Sequence, residues 1–276
     1  MTPPYSRYGG AVKVWMLVSV LILSISVTGC QPASSVDAVE SVSEQVAPGA
    51  PAVATPPAST PPPVMEPEPE EVSTFDKSTH SLDDASSLWV VVNKTRPFSP
   101  IDYAPDDLVV PHVASNYSPL VRQIAAEALE EMFVEATSSG LSPVLNSSYR
   151  SYSLQQRVKR ESLERYGATV SDARSARPGH SEHQTGLVVD ITTPGGACTL
   201  NECFAETPEG LWLAENSWKY GFVLRYLEDA SDTTGYIYEP WHFRFVGTEL
   251  ATEIWNQGYP TLEEFFGLPS APNYGD

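Results

Sequence analysis

Apolar positions along the chain change their spacing several times, and each change marks a predicted element. Leu88-Trp89-Val90-Val91-Val92 is a short continuous apolar run and predicts a buried strand. Ser118-Pro119 predicts an N-cap with proline at the first helical position. Behind it Leu120, Ile124, Ala128, Leu129, Met132, Phe133 and Ala136 recur at helical spacing and predict a core-facing helix, ended by Gly140. PVLNSSYR reads as a strand, and Ser153 as the cap of a charged helix running to Tyr166 and closed by Gly167. Gly186 precedes LVVDI, another strand. Thr207-Pro208 opens a helix through Trp212, Leu213 and Trp218 that stops at Gly221. FVLRY and HFRFV are strand-like, and Thr248 caps a last helix with Leu250, Ile254 and Trp255. Helices and strands mix without a regular βαβ alternation or an internal repeat, so the expected class is α+β.

The amino-terminal part follows other rules. Arg7 and Lys13 precede a nearly unbroken apolar run, Val14 to Val27, in the order of a signal segment. That run is short for a membrane span of roughly 20 residues. Val27-Thr28-Gly29-Cys30 resembles the bacterial lipoprotein signal. The resemblance implies a lipid on Cys30, loss of residues 1–29 and a protein held outside the cytoplasm at the bacterial membrane. Residues 30–80 are rich in Pro, Ala, Ser, Val and Glu. With few large apolar groups to bury, they predict a disordered, partly polyproline-II tether that gives the following domain reach. Residues 81–276 then form the expected folded domain.

Composition narrows the partners. A formal net charge of -19 repels phosphate backbones, so nucleic acid is excluded as a partner class. The three cysteines do not form a structural zinc set. Outside the signal, Cys198 and Cys203 in CTLNEC either close a small disulfide loop in an oxidising compartment or remain free thiols.

Candidate chemistry lies in two clusters. Ser181-Glu182-His183-Gln184-Thr185-Gly186 leads into a strand ending on Asp190, and Glu239-Pro240-Trp241-His242 enters another. Two imidazoles and a carboxylate can hold zinc and leave a fourth position open. Glu239, three residues before one imidazole, is the candidate general base. Spacing alone is a weak signal, because an isolated histidine more often serves packing or the surface.

The pattern S-x-H-x-x-G-x-x-x-D, Ser181 to Asp190, together with E-x-W-H, Glu239 to His242, resembles the VanY-type D-alanyl-D-alanine carboxypeptidases. Ser148-Tyr149-Arg150-Ser151-Tyr152 with Gln155, Val92-Asn93-Lys94, and Tyr103 through Val109 agree in order, so the likeness covers about residues 88–247. It departs at Ser147-Ser148-Tyr149, where relatives often carry a glycine before the tyrosine. The resemblance implies a single small domain, its central antiparallel sheet flanked by helices, with the zinc site at the sheet. It implies Zn2+ on His183, Asp190 and His242, with Glu239 as base. It also implies that Arg150 and Ser181, helped by Gln155, hold the substrate's terminal carboxylate, which suits a planar guanidinium fork. Trp241 either walls the pocket or packs in the core. His80, His112 and His180 match no metal position.

The expected activity is removal of the last D-alanine from peptidoglycan stem peptides by a monomeric enzyme. An L,D-carboxypeptidase acting on tetrapeptide stems and a non-catalytic wall-binding lipoprotein stay open as alternatives.

Overall fold

Period-two alternation gives the central sheet two unlike faces, and the site depends on that difference. The computed structural model describes residues 75–275; the signal segment, Cys30 and most of the tether lie outside the described residues. Twelve elements follow in order: β1 (Leu108–Val109), β2 (Val121–Arg122), α1 (Gln123–Ser138), β3 (Val144–Ser147), α2 (Tyr152–Arg174), β4 (Val188–Thr192), α3 (Pro208–Asn216), β5 (Phe222–Leu224), α4 (Ser231–Thr234), β6 (His242–Phe245), α5 (Thr248–Gln257) and α6 (Leu262–Phe266). Short 3-10 turns join several of them. The main sheet has the order β3-β4-β6-β5, with every neighbouring pair antiparallel. This is the α+β arrangement expected from the sequence.

On one face Leu145, Val189, Ile191, Phe222, Leu224, Phe243 and Phe245 meet Ala125, Ala126, Leu129, Met132 and Phe133 of α1 and Leu213 of α3. On the other face the alternate residues are Asp190, His242, Arg244 and, just past β5, Arg225, all buried. Such a face cannot be closed by apolar packing alone, since each buried charge needs a partner.

Several elements differ from the sequence expectation. Leu88 is half-buried and Trp89 to Val92 are buried, but the run is not a strand. Its carbonyls are taken by arginine side chains instead of a neighbouring strand: Arg244 Nη2 donates to Leu88 O (2.9 Å) and Val90 O (3.0 Å), and Arg96 Nε to Val91 O (3.0 Å). Ser118 caps nothing, and α1 begins only at Gln123, behind Arg122. The backbone before it is committed to tertiary bonds, Arg122 N to Gly186 O and Gln123 N to Asp107 O. Leu120 and Ile124, expected in the core, are therefore exposed.

The cap of α2 is Ser151, whose hydroxyl accepts from Leu154 N, and not Ser153. Gly167 kinks this helix with φ 74° and does not end it. Thr248 is the first residue of α5 with Gly247 before it, and α6 follows, so α5 is not the last helix. Thr207 caps α3 as expected, its hydroxyl accepting from Gly210 N.

The fold also reaches back into the stretch assigned to the tether. Phe75 stacks on Trp89 at 5.5 Å, and Lys77 Nζ donates to Phe265 O at 2.5 Å. Cys198 and Cys203 are joined in a disulfide.

Phe243 is fully buried next to His242 in β6, on the apolar face of the sheet. Phe243→Ala is expected to remove about 3–5 kcal/mol of stability in urea unfolding. A loss below about 1 kcal/mol would contradict a close-packed core behind the site.

Candidate active site

Strand register brings the first two donors together. In the β4–β6 ladder Asp190 lies directly across from His242, and Ser147 of β3 lies across from Asp190 on its other side. His183 arrives from the 3-10 turn Glu182–Thr185, which Gly186 ends at φ 69° in the left-handed region. A side chain at Gly186 would lie 2.9 Å from Leu108 Cδ2 and 3.0 Å from Arg122 Cγ, so this tight turn requires glycine. Gln184 holds the turn from below, donating to Ile101 O (2.9 Å) and Tyr103 O (3.0 Å).

The outcome is a converging set of donors. His183 Nε2 is 3.3 Å from Asp190 Oδ2, and His242 Nδ1 is 3.4 Å from Asp190 Oδ1. One ligand atom from each of His183, Asp190 and His242 lies within 4.8 Å of the others, and all three residues are buried. The rings stand 5.1 Å apart and nearly perpendicular. His183 Nδ1 is 2.7 Å from the carbonyl of Ser148, which accepts its proton and leaves Nε2 free for a ligand.

Glu239 closes the group. The turn Glu239–His242 is tied by His242 N donating to Glu239 O (3.0 Å), which brings the Glu239 carboxylate to 3.5 Å from His242 Nδ1. The three-residue spacing is thus a turn of the chain that sets a carboxylate beside the donor set.

Charge in this cluster is unusual. Burial pushes the Glu239 carboxyl up to about 7, in part because Asp190 is near, while His242 pulls the other way. A proton affinity near neutrality suits a group that must both take and give a proton. Burial alone would lower the His242 imidazole, yet the carboxylates of Asp190, Glu182 and Glu239 outweigh it and raise it to about 9. Burial and Arg150 lower His183. The carboxylates thus favour positive charge at this point, and a divalent cation on the three donors would supply it. The donor set fits zinc: two imidazole nitrogens and one carboxylate, with room for a fourth ligand.

These residues line a cavity of about 350 Å³. Its wall includes Arg150, Ser181, Glu239, Trp241, Tyr226 and Tyr236. Arg150 is half-buried; Nη1 donates to Gln155 Oε1 (3.0 Å) and Nη2 to Ser147 Oγ (3.2 Å). It makes no ion pair among the described residues, so the guanidinium retains donors for an anion. Gln155 reaches the pocket through Arg150. It is fully buried behind Arg150, and its amide nitrogen is spent on Ala176 O (2.6 Å) and Ser175 Oγ (3.4 Å). It aims the arginine. Trp241 both packs in the core and reaches the pocket wall. His180 is held elsewhere, its Nδ1 2.9 Å from Asn93 O.

Sequence reasoning missed Tyr226, Tyr236 and the part played by Glu182. Tyr226 stands 4.8 Å from the His242 ring, and burial raises the hydroxyls of both tyrosines well above their usual range. Tyr226 lies two residues past the end of β5 and Tyr236 two past the end of α4, and no motif marks either.

A His/Asp/His donor set, with a free carboxylate beside it and an arginine in the same pocket, defines a zinc metallopeptidase. The family model described as VanY, D-alanyl-D-alanine carboxypeptidase, matches residues 118–248. A D-alanyl-D-alanine carboxypeptidase of Enterococcus faecalis is 34% identical over 206 residues, covering 71% of this chain and 72% of the relative. The solved LdcB LD-carboxypeptidase is 37% identical with a TM-score of 0.62, over 67% of this chain and 88% of that one. A mutant of the vancomycin-resistance D,D-pentapeptidase VanY from the VanB-type cassette, solved with Zn(II), is 31% identical with a TM-score of 0.54, over 66% and 99%. The chain belongs to the VanY family of D-alanyl-D-alanine carboxypeptidases.

Replacing His183, Asp190 or His242 singly by alanine is expected to abolish zinc retention through dialysis, measured as metal per chain. A variant that keeps one zinc per chain would remove that residue from the donor set.

Proposed function

We propose that this chain is an exported, zinc-dependent carboxypeptidase that removes the C-terminal D-alanine from peptidoglycan stem peptides. The observation that carries the reading is the convergence of His183, Asp190 and His242 in a pocket that also presents Glu239 and Arg150. When bound, zinc supplies Lewis acidity, polarising the scissile carbonyl and making a water proton easier to remove.

The chain's own residues do the rest. Glu239 takes the proton from the attacking water and delivers it to the leaving amine. Its proton affinity near neutrality in the protein alone supports that double duty. Beside a cation held by His183, Asp190 and His242, the Glu239 carboxyl would shift downward and favour its base form. Arg150, held by Gln155 and Ser147, pairs with the substrate's terminal carboxylate, and Ser181 borders the same space. That pairing restricts cleavage to the last residue of a chain. Tyr226, Tyr236 and Trp241 wall the reacting centre against water.

Specificity for a D,D bond on pentapeptide stems is the leading reading, supported by likeness to the D-alanyl-D-alanine carboxypeptidases. An L,D activity on tetrapeptide stems is the second reading. The specific observation favouring it is the greater likeness to the LdcB LD-carboxypeptidase, TM-score 0.62 against 0.54 for the D,D-pentapeptidase. Product analysis on both stems separates them: the first reading expects preferential D-alanine release from the pentapeptide, the second from the tetrapeptide.

The enzyme acts as a monomer anchored outside the cytoplasm by a lipid on Cys30, with residues 31–74 as its tether. The supporting features are the signal-like sequence and the Cys198–Cys203 disulfide, a bond favoured by oxidising compartments. Cys30→Ser is expected to move the protein from the membrane fraction to the soluble fraction; unchanged fractionation would remove the anchor. Glu239→Ala is expected to lower kcat by at least roughly 10²–10⁴-fold while zinc content stays near one per chain. Full turnover in that variant would favour another base, and no turnover by the zinc-loaded wild type on either stem would favour a wall-binding role.

A further inference from the structure

Glu182 precedes a metal-site histidine in sequence, and its side chain is buried against the arginines of the sheet's polar face. It is one of the least accessible carboxylates among the described residues, with a fully buried side chain. Its Oε1 accepts from Arg225 Nε (2.9 Å) and Arg244 Nη1 (3.1 Å). Its Oε2 has no hydrogen-bond partner, and neither does His242 Nε2. These two buried atoms face each other at 3.5 Å. Leaving either one unmatched is costly, and a proton on Nε2 satisfies both with a small approach.

We propose that Glu182 is a positioning residue for His242: it accepts the Nε2–H of the imidazole whose Nδ1 faces the metal site. The inference rests on the metal reading given above and deepens it. A proton held on Nε2 fixes the tautomer, so the Nδ1 lone pair points to Asp190 and the shared donor position. An anionic acceptor also makes the imidazole a stronger donor than a neutral one does. His183 is oriented by a neutral group, the Ser148 carbonyl. The two imidazoles are therefore unequal, and His242 is the stronger ligand.

Glu182 can do this because it cannot rotate. Arg225 forms a two-pronged pair with Glu263 of α6, Nη1 to Oε2 at 2.9 Å and Nη2 to Oε1 at 2.8 Å. Glu263 Oε1 also accepts from Asn93 Nδ2 at 3.0 Å. Arg244 is fastened by the Leu88 and Val90 carbonyls and by Phe245 O at 3.1 Å. Two arginines balance two glutamates, and α6, the segment 88–93, β6 and the residue just past β5 all bear on one carboxylate.

A purely structural ion cluster makes a different prediction, and Glu263 supplies the control. Glu182→Gln and Glu263→Gln both remove one charge from the cluster, and both are expected to lower the melting temperature of the zinc-free chain. Only Glu182→Gln touches His242. In competition with a chromogenic chelator, the full chain carrying Glu182→Gln is expected to bind zinc roughly 10–100-fold more weakly. The chain carrying Glu263→Gln should stay within roughly threefold of wild type, because the glutamine amide oxygen still accepts from Arg225 and keeps it in place, and the residue touches no donor. Equal weakening in both variants, or none in Glu182→Gln, overturns the proposal.

Should Glu182→Gln fail to fold, nitrogen NMR of histidine-labelled wild type with zinc decides the matter. Nδ1 coordination with a protonated, slowly exchanging Nε2 on His242 supports the proposal, and Nε2 coordination overturns it. A wild-type chain that binds no zinc is a separate failure, which strikes the metal reading and not the Glu182–His242 contact.

Discussion

The register of β4 against β6 is the constraint on which the site depends. Pairing Asp190 with His242 sets two donors side by side on one face and leaves Val189, Ile191, Phe243 and Phe245 for the other. Side chains alternate with a period of two, so a slip by one residue would bury the donors in the apolar core and turn the phenylalanines toward the pocket. The core packing that stabilises the sheet therefore also specifies the donor geometry. His183 needs a second device, the turn closed at Gly186, because it lies outside the ladder.

The polar face shows how a buried sheet surface can be closed without apolar packing. Arg225, Arg244, Glu182 and Glu263 share charge-assisted hydrogen bonds at 2.8–3.1 Å. Such clusters add less net stability than their Coulomb attraction suggests, because desolvation is large. What they supply here is fixed geometry: strands, the segment 88–93 and α6 all meet at this cluster, and Glu182 Oε2 faces the site histidine His242. The same arginines satisfy the carbonyls of Leu88 and Val90 and so explain why that apolar run packs without becoming a strand.

Legibility in the sequence divided along lines of interaction range. The donor residues were visible because each sits in a short motif, Ser181 to Asp190 or Glu239 to His242, with local structure behind the spacing. The α+β class, the α3 cap at Thr207 and the stop at Gly140 were visible for the same reason. Ser118 misled because the backbone behind it is spent on Gly186 and Asp107, contacts that no local rule contains. Gln155, which the resemblance gives as a helper of Arg150, is buried and accepts from that arginine. Its burial behind Arg150 depends on the kinked return of α2, which brings Ser175 and Ala176 back to it. Arg225 and Glu263, 38 positions apart, belong to no local motif, and only the fold joins them.

The central claim is that one zinc ion sits among His183, Asp190 and His242. Anomalous diffraction collected on both sides of the zinc absorption edge tests it most directly. The account predicts a single strong peak within bonding distance of His183 Nε2, an Asp190 carboxylate oxygen and His242 Nδ1, with the Glu239 carboxylate beside it but not bound. A peak elsewhere, or none at that point in zinc-replete crystals, would contradict it.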